Sequence, residues 1–340
     1  MKILGIESSC DETAIAVVED GRHVIVSLVA SQTDIHAQFG GVVPEIAARQ
    51  HLETIDALSD AALRKASLTM EDIDALAVTR GPGLVGSLVV GIAYAKGLAL
   101  GSGKPLIPVD HVKAHVHGAV LGLSEGKPEF PCLAIVVSGG HTNIFAMKDF
   151  TSYELLAYSI DDACGECFDK VAKLLGLPYP GGPQIEKKAL AGDPKAIPMP
   201  TIMAKKSDLR FSYSGLKTFI VNFLRKERAN GDLSETMAAN LCAAFQDEAL
   251  MQIVRKLKSA LVVKPKTQSI VVCGGVSANQ RFRTLMRENI GLPTYFPALA
   301  YCSDNAAMIA AYGHHLFKAE KNGTIFKTDD WDAYSRFQFS

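Results

Sequence analysis

Two histidines four residues apart are the residues in this sequence best placed to do chemistry. His111 and His115 lie in the stretch Val109-Asp-His-Val-Lys-Ala-His. On a helix this spacing stacks both imidazole rings on one face, within reach of a single metal ion. Zinc peptidases use a similar pair, but a glutamate base follows their first histidine, and Val112 stands at that position here. The sequence therefore predicts a metal site and disfavours peptide hydrolysis.

A third metal ligand must come from elsewhere in the chain. Asp304, in Tyr301-Cys-Ser-Asp-Asn-Ala-Ala, is the first candidate, and its position predicts that it caps the helix that follows. His117 is a rival, although its ring points to another helix face. Imidazole and carboxylate ligands suit zinc or iron(II), and the sequence does not separate the two. The alternative is a pair of partly exposed histidines that bind nothing.

The adjacent carboxylates Asp11 and Glu12 lie in the turn Glu7-Ser-Ser-Cys-Asp-Glu-Thr between two apolar segments. A structural turn needs only one Asp, Asn or Gly. The two carboxylates could orient a metal-bound or phosphate-bearing ligand, or act as a general base. Asp-Glu pairs are common in loops, so it is their place in the repeat described below that favours a functional role.

Two glycine turns follow apolar strands, and glycines there let backbone N–H groups approach an anion. The turns are Val137-Ser-Gly-Gly-His and Cys273-Gly-Gly-Val-Ser-Ala-Asn. Phosphate is expected on Ser138, Gly139 and Gly140. Asn279 could read a base or ribose edge, with Gly275 close to the nucleotide. The need for a tight turn explains either glycine motif alone. It explains less well why two such motifs occur at equivalent places in a repeat.

Asp169 and Glu186 flank a Tyr179-Pro-Gly-Gly-Pro turn. They could accept hydrogen bonds from ribose hydroxyls, as acidic residues do in other nucleotide sites. A solvated carboxylate beside a Pro-Gly turn is an equal alternative. The nearby Cys164 and Cys167 have redox or zinc spacing, but no second pair exists, so we expect them to be inert.

The elements that must position these residues follow from apolar periodicity. Strands are predicted over 2–7, 13–19, 23–29, 73–79, 106–109, 132–137, 143–147, 153–158 and 269–273, an amphipathic helix over 44–65 and a buried helix ending near residue 100. The same order of elements thus occurs twice: a strand, a polar turn, two further strands and a helix. This predicts a mixed α/β protein of two duplicated lobes with a ligand cleft between them, since ligands lie at the carboxyl ends of such strands.

The predicted lobes are 1–125 and 126–302, with a basic helical insertion over 186–230 and with 303–340 packing near the first lobe. Hydrophobic residues make up 48% of the 340-residue chain and charged residues 21%, which is typical of globular proteins. No signal peptide is recognisable, and the longest apolar run is interrupted by Lys96 and glycines, which disfavours a membrane span. Seven scattered cysteines favour reduced thiols in a cytosolic protein.

Charge is unevenly distributed, although the whole chain carries only -1. Between residues 186 and 228, ten Lys or Arg stand against four Asp or Glu, so this segment carries +6 and the remainder -7. A solvated helical face is one explanation. A local patch for a nucleic-acid backbone is the other.

Taken together, the motifs resemble one family, TsaD, formerly called glycoprotease. The match spans about residues 1–313, nearly the whole chain, and its motifs occur in order: Ile6-Glu-Ser-Ser-Cys-Asp-Glu-Thr, Phe39-Gly-Gly-Val-Val-Pro-Glu, Gly81-Pro-Gly-Leu-Val-Gly, His111-x-x-x-His115, Val137-Ser-Gly-Gly-His-Thr, Tyr179-Pro-Gly-Gly-Pro, Phe211-Ser-Tyr-Ser-Gly-Leu-Lys, Gly274-Gly-Val-Ser-Ala-Asn and Cys302-Ser-Asp-Asn. The resemblance implies an actin/sugar-kinase/heat-shock-type fold with two ribonuclease-H-like lobes.

The resemblance also implies an activity. Enzymes of this family move threonylcarbamoyl from threonylcarbamoyl-adenylate to N6 of adenosine 37 in tRNAs that read A-starting codons. It implies iron or zinc at His111, His115 and Asp304, and partner proteins similar to TsaB and TsaE beside a separate adenylate-making enzyme. The adenylate-binding positions that it implies are Val136, Val137, Ser138, Gly139, Gly140, Asp169, Gly182, Glu186 and Asn279.

Two other classes of protein are alternatives to a transferase of this family. An ATP-dependent small-molecule kinase of the same fold needs no metal-binding histidines. A noncatalytic scaffold would lack both the histidine pair and intact phosphate turns. This chain keeps all of them, and Asp11 and Glu12 remain the candidates for the base that removes the amine proton.

Overall fold

A computed structural model describes residues 1–121, 127–229, 231–320 and 331–336. The described strands are β1 (Lys2–Glu7), β2 (Glu12–Glu19), β3 (His23–Ser31), β4 (Ala75–Gly81), β5 (Leu106–Asp110), β6 (Cys132–Val137), β7 (Thr142–Met147), β8 (Tyr153–Tyr158), β9 (Ser269–Cys273) and β10 (Thr294–Tyr295). The described helices are α1 (Thr33–Ala37), α2 (Pro44–Ala66), α3 (Val85–Ser102), α4 (His111–Gly118), α5 (Cys164–Leu174), α6 (Gly181–Ala189), α7 (Ser214–Arg228), α8 (Glu235–Val263), α9 (Gln280–Asn289) and α10 (Ala306–Ala319).

The strands form two five-stranded sheets with corresponding strand orders. One has the order β3-β2-β1-β4-β5 and the other β10-β9-β6-β7-β8. In the first, β2 runs antiparallel to β1 and β3, whereas β4 and β5 continue parallel to β1. In the second, β6, β9 and β10 are parallel. Each sheet therefore contains three consecutive strands followed by two that return beside the first of them, which confirms the predicted repeat.

The first sheet is covered on both faces because successive strand residues point to opposite sides. Ile3 and Ala77 belong to the apolar cluster that contains α10, while Leu4 and Ile6 pack with residues of α2 and α3. At Gly5 a Cβ atom would lie 2.2 Å from the carbonyl oxygen of Ala306. Glycine at this position therefore lets the first turn of α10 lie directly against β1.

Two details depart from the sequence prediction. Strand β2 begins at Glu12, so this carboxylate belongs to the sheet and only Asp11 belongs to the turn. Helix α3 is buried on one face only: Leu88 and Ile92 are in the core, but Val85 and Val89 are exposed. It packs on α2 and β4, and among the described helices it alone is long and apolar enough to cross a membrane, a test that core helices of soluble proteins also pass.

The chain divides into two compact units, one for each sheet. The first comprises Met1–Pro128, Met147–Tyr153 and Phe296–Ser340, and the second comprises Glu129–Ala146 and Glu154–Tyr295. The lobe boundary predicted at 125/126 falls outside the described residues, as do 321–330 and 337–340 of the predicted C-terminal segment.

Candidate functional site

The two histidines lie on α4, which begins directly after β5. The side chain of Asp110 caps this helix by accepting a hydrogen bond from the backbone N–H of Lys113 at 2.9 Å. The cap makes His111 the first helical residue and places His115 one turn later on the same face, with 4.8 Å between ring centroids. Both side chains are buried, which excludes the alternative of two partly exposed helix histidines.

Asp304 lies beside both histidines. Its Oδ1 is 3.5 Å from Nε2 of His111 and 3.3 Å from Nε2 of His115. The prediction that Asp304 caps the next helix is wrong, because the side chain of Asn305 accepts the capping hydrogen bond from the N–H of Met308. Since the amide of Asn305 supplies the cap, the carboxylate of Asp304 faces the histidines instead.

The donor set fits a divalent metal. One ligand atom from each of His111, His115 and Asp304 lies within 4.8 Å of the others. Neither ring nitrogen of the buried His115 makes a hydrogen bond with a described residue, an arrangement that is costly unless the imidazole has another partner. Two imidazoles and a carboxylate are a common ligand set for catalytic zinc and for iron(II), and both leave coordination positions open for substrate.

A fully buried carboxylate, Glu7, supports this cluster from behind. Its Oε2 lies 3.1 Å from Nδ1 of His111 and accepts a 2.6 Å hydrogen bond from the hydroxyl of Thr79. Its Oε1 accepts from the backbone N–H of Ser9. Glu7 thus holds Nδ1–H of His111, which turns Nε2 toward Asp304. This residue was missed from the sequence, where the only signal was a charged residue ending an apolar strand.

The charges around His111 shift its titration. Burial lowers the pKa of His111, but the carboxylates of Asp304 and Glu7 outweigh that effect and raise it to about 9. Burial also raises the pKa of Glu7, but the charge of His111 and its hydrogen bond outweigh burial. The pKa of Glu7 is therefore lowered. At neutral pH the metal-free site therefore contains an imidazolium that a metal ion must deprotonate.

Because His111 is protonated at neutral pH, metal binding should depend on pH. Below pH 9 one proton must leave His111 for each metal ion bound, so the apparent affinity for Zn²⁺ should rise about tenfold per pH unit from roughly pH 7 to 9 and then level off. Competition with a chelator of known proton affinity at several pH values measures the slope. An affinity that is constant across this interval would contradict the protonation state assigned to His111.

The candidate bases Asp11 and Glu12 lie in the same unit as the cluster of His111, His115 and Asp304. Burial is the main cause that raises the pKa of Glu12 to about 7, and the charges of Asp11 and Asp304 add to it, although the hydroxyl of Ser31 donates to its Oε1. Its Oε2 is buried without a hydrogen bond to a described residue. Burial also raises the pKa of Asp11. Glu12 therefore titrates near neutral pH, as a general base should.

Three other residues that the sequence offered as metal or redox candidates take structural roles. His117 is buried, stacks on Tyr312 with 4.5 Å between ring centroids, and contacts the hydroxyl of Tyr153, so it is not part of the cluster. Cys164 and Cys167 are buried, and burial raises the pKa of Cys164 to about 12. A thiol in this state is unreactive, as expected.

In the second unit the two glycine turns lie at the same sheet edge, because the strands before them, β6 and β9, are parallel neighbours. A Cβ atom at Gly274 would lie 2.4 Å from the carbonyl oxygen of Val137, so the turns touch through their backbones. Gly139 and Gly140 are exposed and have open space where a side chain would be, as does Gly275. Val136 and Val137 are buried in β6 and offer only backbone atoms.

Three of the predicted nucleotide ligands also hold helices in place. Asp169 accepts a 2.7 Å hydrogen bond from the N–H of Gly181, at the start of α6. Glu186 accepts from the N–H of Gln280, at the start of α9, also at 2.7 Å. Asn279 caps α9 through Oδ1, and its amide donates to Gln246. These contacts connect the residues predicted around the ribose into one network, in which Gly182 is partly exposed near the start of α6.

Ion pairs reduce the excess positive charge of the basic segment. Lys188 pairs with Glu235, Arg210 with Asp208 and Lys217 with Asp162. Lys205 and Lys206 are exposed, and neither makes an ion pair within the described part of the chain. Their loop is fixed by Lys256 of α8, whose buried ammonium donates to the carbonyls of Met203 and Asp208.

Solved structures share this fold. HypF in a phosphate- and nucleotide-bound form has a TM-score of 0.59 at 13% identity and matches 93% of this chain and 46% of its own. Component A of Acidaminococcus fermentans (R)-2-hydroxyglutaryl-CoA dehydratase has a TM-score of 0.54 at 14% identity, over 93% of this chain and 98% of its own. The chain is a protein of the actin/sugar-kinase/heat-shock-type fold, as predicted.

Sequence comparison defines the family within that fold. The TsaD profile, tRNA N6-adenosine threonylcarbamoyltransferase, matches residues 23–311. The enzyme of that name from Moorella thermoacetica is 48% identical over 319 residues, 92% of each chain. The one from Anaeromyxobacter sp. is 46% identical over 334 residues, 97% of this chain and 98% of that one. The chain belongs to the TsaD family and is a transferase that modifies tRNA.

Proposed function

We propose that this chain transfers threonylcarbamoyl from threonylcarbamoyl-adenylate to N6 of adenosine 37 in tRNAs that read A-starting codons, and releases AMP. The observation that carries the proposal is the buried cluster of His111, His115 and Asp304, which fits one zinc or iron(II) ion. A bound ion would supply Lewis-acid polarisation of the carbamoyl carbonyl.

The reaction needs activation on both sides. An exocyclic adenine amine is a poor nucleophile because its lone pair is delocalised into the ring. A carbamoyl carbon is a poor electrophile, and the mixed anhydride with AMP gives it a good leaving group. N6 forms a bond to the carbamoyl carbon, the bond from that carbon to the phosphate oxygen breaks, and the amine proton passes to a base.

We assign the base to Glu12 in preference to Asp11. Its pKa of about 7 lets a substantial fraction be ionised at neutral pH, and its Oε2 lacks a protein hydrogen bond. We propose that the AMP phosphate binds to the backbone N–H groups of the Ser138-Gly139-Gly140 turn and that the ribose binds near Asp169 and Glu186. Open space at Gly139 and Gly140 supports the first assignment.

A reconstituted reaction tests the proposed function. The protein is combined with its TsaB-like and TsaE-like partners, which we propose are needed, and with unmodified tRNA. In one arm the mixture receives the adenylate-making enzyme, labelled threonine, bicarbonate and ATP; in the other it receives preformed threonylcarbamoyl-adenylate, labelled in its threonine part, without ATP. Label on adenosine 37 in both arms supports the transfer. A phosphorylated product instead identifies a kinase, and no product in either arm identifies a scaffold.

We propose further that the protein acts in the cytoplasm and that Lys205 and Lys206 contact the tRNA backbone. None of the seven cysteines is in a disulfide, as suits a reducing compartment. The two lysines are exposed on a loop whose backbone carbonyls accept hydrogen bonds from Lys256, so the loop presents both side chains to solvent. Arg210 is already paired with Asp208 and contributes less.

Reversing these two charges should weaken tRNA binding. The Lys205→Glu/Lys206→Glu variant is expected to bind tRNA more weakly, with the slope of log affinity against log salt lowered by up to about two units, about one for each lysine that no longer neutralises a phosphate. The measurement is made on the assembled complex, because partner proteins also present surface to tRNA. Lys258→Glu is the control, since this lysine already bonds to Asn289 on α9. If the double variant keeps the parent's affinity and slope, the loop is only a solvated surface.

A further inference from the structure

The segment 331–336 near the C-terminus packs against the rest of the first unit. Trp331 and Ala333 lie on the apolar cluster under α2 and α3. Arg80, near the end of β4, donates from Nε to the carbonyl of Asp332 at 2.8 Å, and its own carbonyl accepts from the N–H of Tyr334 at 3.3 Å. Lys96 stands 4.7 Å from the centre of the Trp331 ring and also donates to the Trp331 carbonyl. Backbone and ring contacts thus fix the path of this segment.

The segment reaches Gly81, the last residue of β4. At Gly81 a Cβ atom would lie 2.3 Å from the carbonyl oxygen of Tyr334, so glycine is what permits the close approach. The guanidinium of Arg80 lies 5.6 Å from the centre of the Tyr334 ring. Tyr334 therefore packs on the end of β4 rather than projecting into solvent.

From this position Tyr334 reaches the start of the metal-binding helix. Its hydroxyl donates to Oδ2 of Asp110 at 2.7 Å. The other carboxylate oxygen of Asp110 accepts from the N–H of Lys113 and so caps α4. Because a single planar carboxylate makes both bonds, the hydroxyl of Tyr334 fixes the orientation of the cap, and His111 is the next residue of the chain.

We propose that Tyr334 is a positioning residue for the metal site: it orients Asp110 and thereby fixes the first turn of α4, which carries His111. The inference rests on the proposed metal site. Burial of Tyr334 and the nearby charge of Asp110 raise the pKa of the phenol, which therefore remains a donor at neutral pH.

The test is Tyr334→Phe, which removes one hydroxyl and keeps the ring on Gly81 and Arg80. The probe is Co²⁺, whose visible absorption reports the coordination geometry of a site built for zinc or iron(II). We expect the variant to bind Co²⁺ about three- to tenfold more weakly, less than the 10–100-fold typical of a partner that touches the ligand directly. We also expect a changed absorption spectrum at saturation.

Tyr94→Phe is the matched control. It too removes a tyrosine hydroxyl that bonds to an aspartate of the first unit, Asp56 at 3.2 Å, but that pair joins α3 to α2. It should leave the affinity and the spectrum of bound Co²⁺ unchanged. In an Asp110→Ala background, which already weakens binding, adding Tyr334→Phe should change the affinity less than twofold, because its hydroxyl then has no carboxylate to orient.

The possible failures are distinguishable. If the parent binds no stoichiometric Co²⁺, the metal site itself is wrong and the inference is overturned with it. If the parent binds Co²⁺ and Tyr334→Phe keeps its affinity and spectrum, only the role of Tyr334 is overturned. An equal reduction of affinity in Tyr94→Phe, or a full further reduction in the Asp110→Ala background, overturns it as well, since either shows that Tyr334 does not act through Asp110.

Discussion

The His111→Ala/His115→Ala variant is expected to lose tightly bound metal and, with it, transferase activity. Removing a residue that hydrogen-bonds to a metal ligand typically lowers metal affinity 10–100-fold, and removing the ligand itself should lower it at least as much. Removing two ligands should therefore lower the affinity about 10²–10⁴-fold or more. Asp304 alone then remains, and one carboxylate does not hold zinc or iron(II) in competition with a chelator.

Metal content after dialysis against a chelator measures this effect, and the reconstituted reaction measures the activity. His23→Ala/His315→Ala is a control for the general removal of two imidazoles, because neither residue belongs to the cluster. Folding is checked by thermal denaturation in the absence of metal. One equivalent of tightly bound metal in the folded double variant would place the site elsewhere in the chain.

Most of the fold could be predicted because its signals are local. The apolar runs of β1, β6 and β9 and the glycine turns that follow β6 and β9 are recognisable in the sequence, and β1, β6, β8 and β9 begin and end at the predicted residues. The exposed face of α3 was not predicted, since Val85 and Val89 are apolar and periodicity does not distinguish an apolar surface from a core.

Two residues of the site, Glu7 and Tyr334, could not be predicted because they contact segments that are distant in the sequence. Glu7 and His111 are 104 residues apart, and Tyr334 and Asp110 are 224 apart. The first pair meets because of sheet order: β1, β4 and β5 are adjacent, so the end of β1 and the start of α4 lie at the same edge. The second pair meets because the segment that carries Tyr334 packs on Arg80 and Gly81 at the end of β4. The Asp304 cap failed for a local reason, because the neighbouring Asn305 is an equally good capping residue and takes that place.

A second large effect is expected from changing Glu7, the carboxylate that contacts the metal-ligand candidate His111. Glu7 accepts three hydrogen bonds, from Ser9, Thr79 and His111. In Glu7→Gln one carboxylate oxygen becomes an NH₂ donor, so at least one of these donors faces another donor. His111 then loses the acceptor that keeps its proton on Nδ1 and turns Nε2 to the metal, and the expected cost is about 10–100-fold in metal affinity.

Proton competition makes this effect depend on pH. The charge of Glu7 helps to raise the pKa of His111 to about 9, so removing that charge lowers this pKa and relieves part of the competition between the proton and the metal at pH 7. The two effects oppose one another near neutrality. Above pH 9 the parent site is deprotonated and only the weaker orientation of His111 remains. The affinity deficit of Glu7→Gln should therefore be largest near pH 9.5, shrink toward pH 7, and come with a flatter slope of log affinity against pH.

Chelator competition with Zn²⁺ from pH 6.5 to 9.5 resolves both features. Glu45→Gln, which removes an exposed carboxylate paired with Arg49 on α2, should reproduce the parent's curve. Glu7→Asp is the second variant: it keeps the charge but shortens the reach to His111, so it should retain more of the parent's pH slope than Glu7→Gln while still binding Zn²⁺ more weakly at pH 9.5. A Glu7→Gln protein that is folded and matches the parent in both affinity and slope would show that Glu7 serves only to hold the end of β1.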